Sequence, residues 1–233
     1  FLSNKVSVLL CPTTILADQH FITCKERLAQ FGVSVSLLSR FKTKKEQLKT
    51  LSMVRLGQVD ILIGTHRLLS KDVQISNLGL LVIDEEHRFG VNHKEKIRSF
   101  KNNVDVLTLT ATPIPRTLQQ ALVGLKNLTT IKTPPTSRKP INTFVKYFNW
   151  SLVFSHIQKE VNRRGQVYFL YNDIKGIPFV VKKIKDHFPE KIVAGASGKM
   201  DSKRLEDVIL AFFDGSIDIL VCTTIIESGL DVT

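Results

Sequence analysis

The 233-residue sequence has no apolar run long enough to span a membrane. Its longest, residues 6–11 and 78–83, are strand-sized, against the roughly 18 residues a spanning helix needs. No membrane partner is therefore expected, and no signal or transit segment is read at the start. Cysteine is scarce, odd in number and scattered, at Cys11, Cys24 and Cys222. That excludes a disulfide framework or a cysteine metal cluster and points to buried thiols in a reducing cytoplasm. The dinucleotide-binding pattern Gly-x-Gly-x-x-Gly is missing, which argues against a dehydrogenase or kinase on a doubly wound sheet. Also missing is Gly-x-x-x-x-Gly-Lys-Ser/Thr, the loop whose backbone N–H groups cradle phosphates. Internal repeats and low-complexity tracts are not evident.

Acidic residues are in deficit. Thirty-three Lys and Arg against 21 Asp and Glu give a net charge of +12. A fold this basic suits a polyanion, through phosphate contacts and counterion release. Otherwise the composition is that of an ordinary globular protein, with 43% hydrophobic and 23% charged residues.

Short apolar runs alternate with amphipathic stretches of helical period. Strands are predicted at 7–11, 35–38, 60–64, 80–84 and 105–109, and helices at 14–30, 44–56 and 115–123. This alternation indicates βαβ units and a mostly parallel sheet. Three prolines between Thr133 and Pro140 interrupt it, since proline continues neither a helix nor an inner strand. Beyond them the rhythm restarts, with strands predicted at 142–147, 166–171 and 217–222 and helices at 151–162, before His187 and at 202–213. Two α/β domains follow, 1–135 and 136–233, joined by a Pro-rich linker.

The sharpest chemical signal is Leu80-Leu-Val-Ile-Asp84-Glu85-Glu86-His87. An apolar strand delivers carboxylates to its C-terminal end, where open α/β sheets bind ligands. Asp84 suits a magnesium ion, and Glu85 suits activation of a water molecule. One βα unit later, Thr108-Leu-Thr110-Ala111-Thr112-Pro113-Ile-Pro115 ends a strand in hydroxyl residues and turns into a helix. His87 can also be read as a cap of its turn, and Thr13 or Thr14 as caps of the first helix.

On these residues the chain resembles superfamily 2 helicases. Asp84-Glu-Glu-His-Arg-Phe-Gly90 and Thr110-Ala-Thr-Pro-Ile-Pro-Arg116 are similar to motifs II and III. Pro12-Thr13-Thr14 with His20 is similar to motif Ia, Gly64-Thr65-His66 to the next DNA-contact motif, and Thr223-Thr224-Ile-Ile-Glu227-Ser-Gly229-Leu-Asp231 to motif V. The resemblance is to the branch holding RecG and the transcription-repair coupling factors. Glu85-Glu86, Leu38-Ser-Arg-Phe41 and Tyr168-Phe-Leu-Tyr-Asn-Asp173 lean toward the latter.

What the resemblance implies is an α/β fold of two RecA-like parallel-sheet domains, both incomplete. It implies an ATP-dependent translocase on double-stranded DNA, with ATP and Mg²⁺ as cofactors, that displaces stalled RNA polymerase in DNA repair. RNA polymerase and nucleotide-excision-repair proteins would be met through domains not in this chain. Asp84 would hold the metal through ATP, and Glu85 would polarise the attacking water. His87, Thr110, Thr112, Thr223, Thr224, Glu227, Gly229 and Asp231 would act in catalysis or couple nucleotide state to DNA. Pro12, Thr13, Thr14, His20, Gly64, Thr65, His66, Gly198 and Lys199 would contact the DNA backbone. Ser197 stands where relatives usually carry histidine, which weighs against the usual contact there and leaves Lys199 as the candidate. Arg88 is read either as an ion-pair partner or as part of the relay. Without the phosphate-cradling loop and the Arg-rich motif VI, the chain as it stands is expected neither to hydrolyse ATP nor to translocate. The alternatives are a RecG-like motor on branched DNA, a non-catalytic nucleic-acid-binding module, and a scaffold for repair proteins.

Overall fold

The computed structural model describes residues 5–40, 42–90, 93, 95–97, 104–111, 129–134 and 141–224. They form two compact units, one up to Ala111 and one after it. From residue 135 to 140 the Pro-rich stretch lies outside the described residues, as does the helix predicted at 115–123.

The first unit carries strands β1 (Val6–Leu10), β2 (Val35–Leu38), β3 (Ile61–Gly64), β4 (Leu78–Asp84) and β5 (Asp105–Leu109). They form one parallel sheet in the order β2-β3-β1-β4-β5. Helices α1 (Thr14–Leu28) and α2 (Lys44–Arg55) cover opposite faces. Side chains alternate across a strand, so Leu9, Leu37 and Ile63 pack with Leu16 and Ala17 of α1. Leu10, Leu38, Leu62 and Ile83 pack with Leu51 and Val54 of α2. Cover on both faces is why these strands are apolar at successive positions. Thr13 caps α1, its hydroxyl accepting from Leu16 N–H. Thr43 and Glu46 form a capping box at the start of α2.

The second unit repeats this plan with three parallel strands, β6 (Val167–Leu170), β7 (Val193–Ala196) and β8 (Ile219–Cys222), in the order β6-β8-β7. Helices α3 (Trp150–Asn162) and α4 (Ile177–His187) bury Ile157, Val180 and Ile184 against Ile219 and Val221. Helix α5 (Ser202–Phe213) buries Phe212 against Leu220 and Cys222 on the other face. Gln166 donates its side-chain amide to the carbonyls of Phe212 and Ile217, fastening the start of β6 to the end of α5.

One sequence-based expectation is corrected and one strand is added. No strand forms at 142–147: this stretch joins no ladder, and Val145 and Tyr147 are 92% and 99% exposed. Its β-branched and aromatic side chains have strand character only where a partner strand and a packed face exist. Conversely, Val193–Ala196 is a strand that three small residues, Ala194, Gly195 and Ala196, concealed. A Cβ on Gly195 would sit 2.9 Å from Ile177 Cγ2, so the small residue lets α4 lie directly on β7. Cys11 and Cys222 are buried, Cys24 is half-buried, and all three are free thiols. Among the described residues no helix is long and apolar enough to cross a membrane.

Candidate nucleotide and nucleic-acid site

Parallel strands in flush register end together. Leu38 pairs with Gly64, Gly64 with Leu10, Leu10 with Ile83, and Asp84 with Leu109. The residues that follow, Cys11 to Thr14, Thr65 and His66, Asp84 to His87, and Thr110, therefore share one edge of the first sheet. Four stretches far apart in sequence become one row.

Glu85 is the most constrained member. Its backbone is left-handed, at φ 48° and ψ 54°, a conformation that costs a non-glycine residue about 1–2 kcal/mol. Yet its side chain is only 3% exposed. One oxygen, Oε2, accepts from the Thr110 hydroxyl at 2.9 Å and lies 3.2 Å from His87 Nδ1. The other, Oε1, accepts from Ala111 N–H at 3.0 Å. The Glu85 N–H donates to Leu109 O at 2.9 Å. The turn after β4 is thereby locked to the end of β5. Strain that the surroundings over-determine in this way is a mark of functional sites. Glu86 accepts a longer bond, 3.4 Å, from the Thr108 hydroxyl.

Asp84 closes β4 with its side chain 16% exposed. Its Oδ2 accepts a hydrogen bond from His20 Nε2 at 3.1 Å. The resemblance groups His20 with the DNA contacts; the structure places it against the candidate metal carboxylate. Burial, followed by the Asp84 charge, pushes the Cys11 thiol well above its ordinary range, so it is neutral and inert there.

The candidate backbone-contact residues are placed unevenly. Thr13 spends its hydroxyl on capping α1, and Thr14 and Thr65 are buried. Gly64 is fixed by packing, because a Cβ there would lie 2.3 Å from the Leu38 carbonyl oxygen. His66 is exposed and stacks on His93, with ring centroids 5.6 Å apart and an interplanar angle of 22°. Phe89 meets His93 edge-on. Partial burial first, then His93 and Arg40, hold the His66 pKa below its ordinary value. His93 is a residue that sequence reasoning passed over as a site member; only its position after the acidic turn hinted at it.

In the second unit Leu170, Cys222 and Ala196 end in register, bringing Thr223 and Thr224 beside the 197–199 turn. Thr223 N–H donates to Ala196 O at 3.4 Å, and its carbonyl accepts from the Tyr168 hydroxyl at 3.5 Å. Ser197 is 8% exposed and its N–H donates to Met200 Sδ, while Gly198 and Lys199 are exposed. Thr112, Glu227, Gly229 and Asp231 lie outside the described residues. No group of three or more His, Cys, Asp or Glu capable of holding a metal occurs among the described residues. A lone carboxylate such as Asp84 fits magnesium, which keeps most of its waters and needs few protein ligands.

Residues 2–121 match the family model described as DEAD/DEAH box helicase, and residues 150–233 the helicase conserved C-terminal domain. The chain belongs to the DEAD/DEAH box helicase family. Within this family it is similar to the transcription-repair-coupling factor of Bacillus subtilis (strain 168), at 54% identity over 98% of the chain and 20% of the relative. It is also similar to that of Staphylococcus aureus (strain USA300), at 48% identity over 99% of the chain and 20% of the relative. The chain thus spans about a fifth of the length of the curated relatives it matches. A solved structure described as RecG bound to a three-way DNA junction superposes with a TM-score of 0.78 at 36% identity, covering 98% of this chain and 30% of that one. The superfamily 2 resemblance and the two parallel sheets accord with this membership.

Proposed function

We propose that this chain is the motor-core segment of a transcription-repair coupling factor, a cytoplasmic, ATP-driven translocase on double-stranded DNA that displaces stalled RNA polymerase. The observation that carries the reading is the Asp84–Glu85 pair at the sheet edge, clamped to Thr110, in a chain 54% identical to the Bacillus subtilis factor. RNA polymerase and excision-repair proteins are met through other parts of the protein.

The chemistry follows from positioning. Asp84 is the residue that would hold Mg²⁺, which when bound offsets phosphate charge and bridges the nucleotide to the protein. Glu85 orients the attacking water and accepts its proton. Its two oxygens are aimed by the Thr110 hydroxyl and the Ala111 N–H, so movement of the 110–111 segment changes the aim of the base. Phosphoryl transfer relies on such placement and on electrostatics more than on covalent chemistry. DNA is tracked through backbone phosphates by the Pro12, Thr13 and Thr14 turn, His66, Lys199 and the Thr223–Thr224 pair, without reading base sequence.

The test uses the full-length protein carrying this segment, added with ATP to RNA polymerase stalled on linear duplex DNA. ATP-dependent transcript release that Glu85→Gln abolishes, with nucleotide binding retained, is the expected result. Release by Glu85→Gln at the wild-type rate would sink the catalytic assignment. The likeness to RecG favours one second reading, a motor on branched DNA. Fork-stimulated ATP hydrolysis without transcript release would select it.

A further inference from the structure

His20 stands in the second turn of α1, and the start of that helix is the candidate contact to the DNA backbone. Ile15, Leu16 and Ala17 are buried, and Leu16 and Ala17 pack against β1, β2 and β3. Thr13 caps the helix end. The first two turns of α1 are thus one stiff piece, with the Pro12–Thr13–Thr14 turn at its tip and His20 on its flank. From that flank His20 Nε2 reaches Asp84 Oδ2 at 3.1 Å, across 64 residues of sequence. The side chains are 34% and 16% exposed, so the bond is partly shielded from competing water. An ionised carboxylate only accepts, so the imidazole proton resides on Nε2. Cys11, which burial and then the Asp84 charge hold above its ordinary range, is a neutral thiol.

We propose that His20 is a positioning residue for Asp84. It fixes one carboxylate oxygen, leaves the other available to hold magnesium, and ties that arrangement to the helix whose tip is the candidate DNA contact. The proposal rests on the assignment of Asp84 as the magnesium-holding carboxylate. It departs from the place the family resemblance gives His20, as a DNA contact. Partners that orient a metal-binding carboxylate alter metal affinity by about 10–100-fold when removed, and this is the effect assigned to His20.

The experiment measures the Mg²⁺ midpoint for binding a fluorescent ADP analogue to the full-length protein, with and without duplex DNA. Wild type, His20→Ala, His20→Gln, His20→Asn and Asp84→Asn are compared. Glutamine presents an amide N–H near the Nε2 position, whereas asparagine presents one nearer Nδ1. The expected result is a midpoint raised by about 10–100-fold in His20→Ala and in His20→Asn. Recovery toward wild type is expected in His20→Gln, with nucleotide-free DNA affinity unchanged in all three. If His20→Ala destabilises the fold, the comparison of the glutamine and asparagine variants decides, and equal midpoints for the two overturn the proposal. A wild-type midpoint in His20→Ala overturns it as well. Weakened nucleotide-free DNA binding at an unchanged midpoint overturns it in favour of a DNA contact. Should Asp84→Asn leave the midpoint unmoved, the magnesium assignment itself fails, an outcome separable from failure at His20 alone.

Discussion

Thr110, just past the end of β5, donates its hydroxyl to the buried Glu85 carboxylate at 2.9 Å. The bond joins two neighbouring strand ends through side chains, next to the backbone bond from Glu85 N–H to Leu109 O. Thr110→Val keeps the shape and removes the donor, leaving Glu85 Oε2 short of a partner in a buried setting. A lost donor of this kind costs about 1–3 kcal/mol. DNA-stimulated ATP turnover in the full-length protein is expected to fall about 10–100-fold. Thr110→Ser, which keeps the hydroxyl, retains most of the rate. Steady-state phosphate release reads both.

Gly64→Ala is expected to destabilise the first unit by about 1–3 kcal/mol. The added methyl would meet the Leu38 carbonyl oxygen at 2.3 Å, and backbone cannot swing aside as a side chain can. Urea unfolding followed by far-UV circular dichroism measures the loss. A midpoint equal to wild type would mean that β2 and β3 separate more readily than their register suggests.

His66 gives the first unit a pH dependence of known sign. Its folded-state pKa lies below the ordinary 6.5 through burial, His93 and Arg40, so folding favours the neutral ring. The penalty is absent above that ordinary value and grows as pH falls toward the lowered folded value. Melting temperature is expected to drop between pH 7.5 and 5.5, and less steeply in His66→Asn. Parallel pH profiles for the two proteins would rule this contribution out.

Ile184→Ala removes a fully buried side chain from between α4 and the second sheet. Such truncations cost about 2–5 kcal/mol. Trp150, the sole tryptophan, stacks on Phe169 and lies under Lys183 in this same unit. Its fluorescence therefore reports unfolding there, and the unfolding free energy read from the denaturant curve is expected to fall by that amount.

Much of the fold was legible because buried parallel strands write themselves as apolar runs. Leu80-Leu-Val-Ile and Ile219-Leu-Val-Cys222 are covered on both faces and read plainly. Val193–Ala196 did not, since a strand packed hard under a helix needs small residues that resemble a loop. Residues 142–147 misled for the opposite reason: strand-like side chains without a ladder partner. At the site, residue types and spacing pointed to Asp84, Glu85 and Thr110. Neither the left-handed backbone of Glu85 nor the reach of His20 to Asp84 has a signature in local sequence. Both depend on how distant segments meet.

The strand order β2-β3-β1-β4-β5 has a consequence for synthesis. β1 sits at the centre of its sheet and is the first described strand to leave the ribosome, yet both its partners come much later. It must stay unpaired until Ile61–Gly64 emerges on one side and Leu78–Asp84 on the other. During that interval an apolar strand with bare edges is open to other chains, and pairing between distant segments is slow. A chaperone that shields residues 6–10 on the nascent chain would raise the yield of folded protein without touching the finished fold.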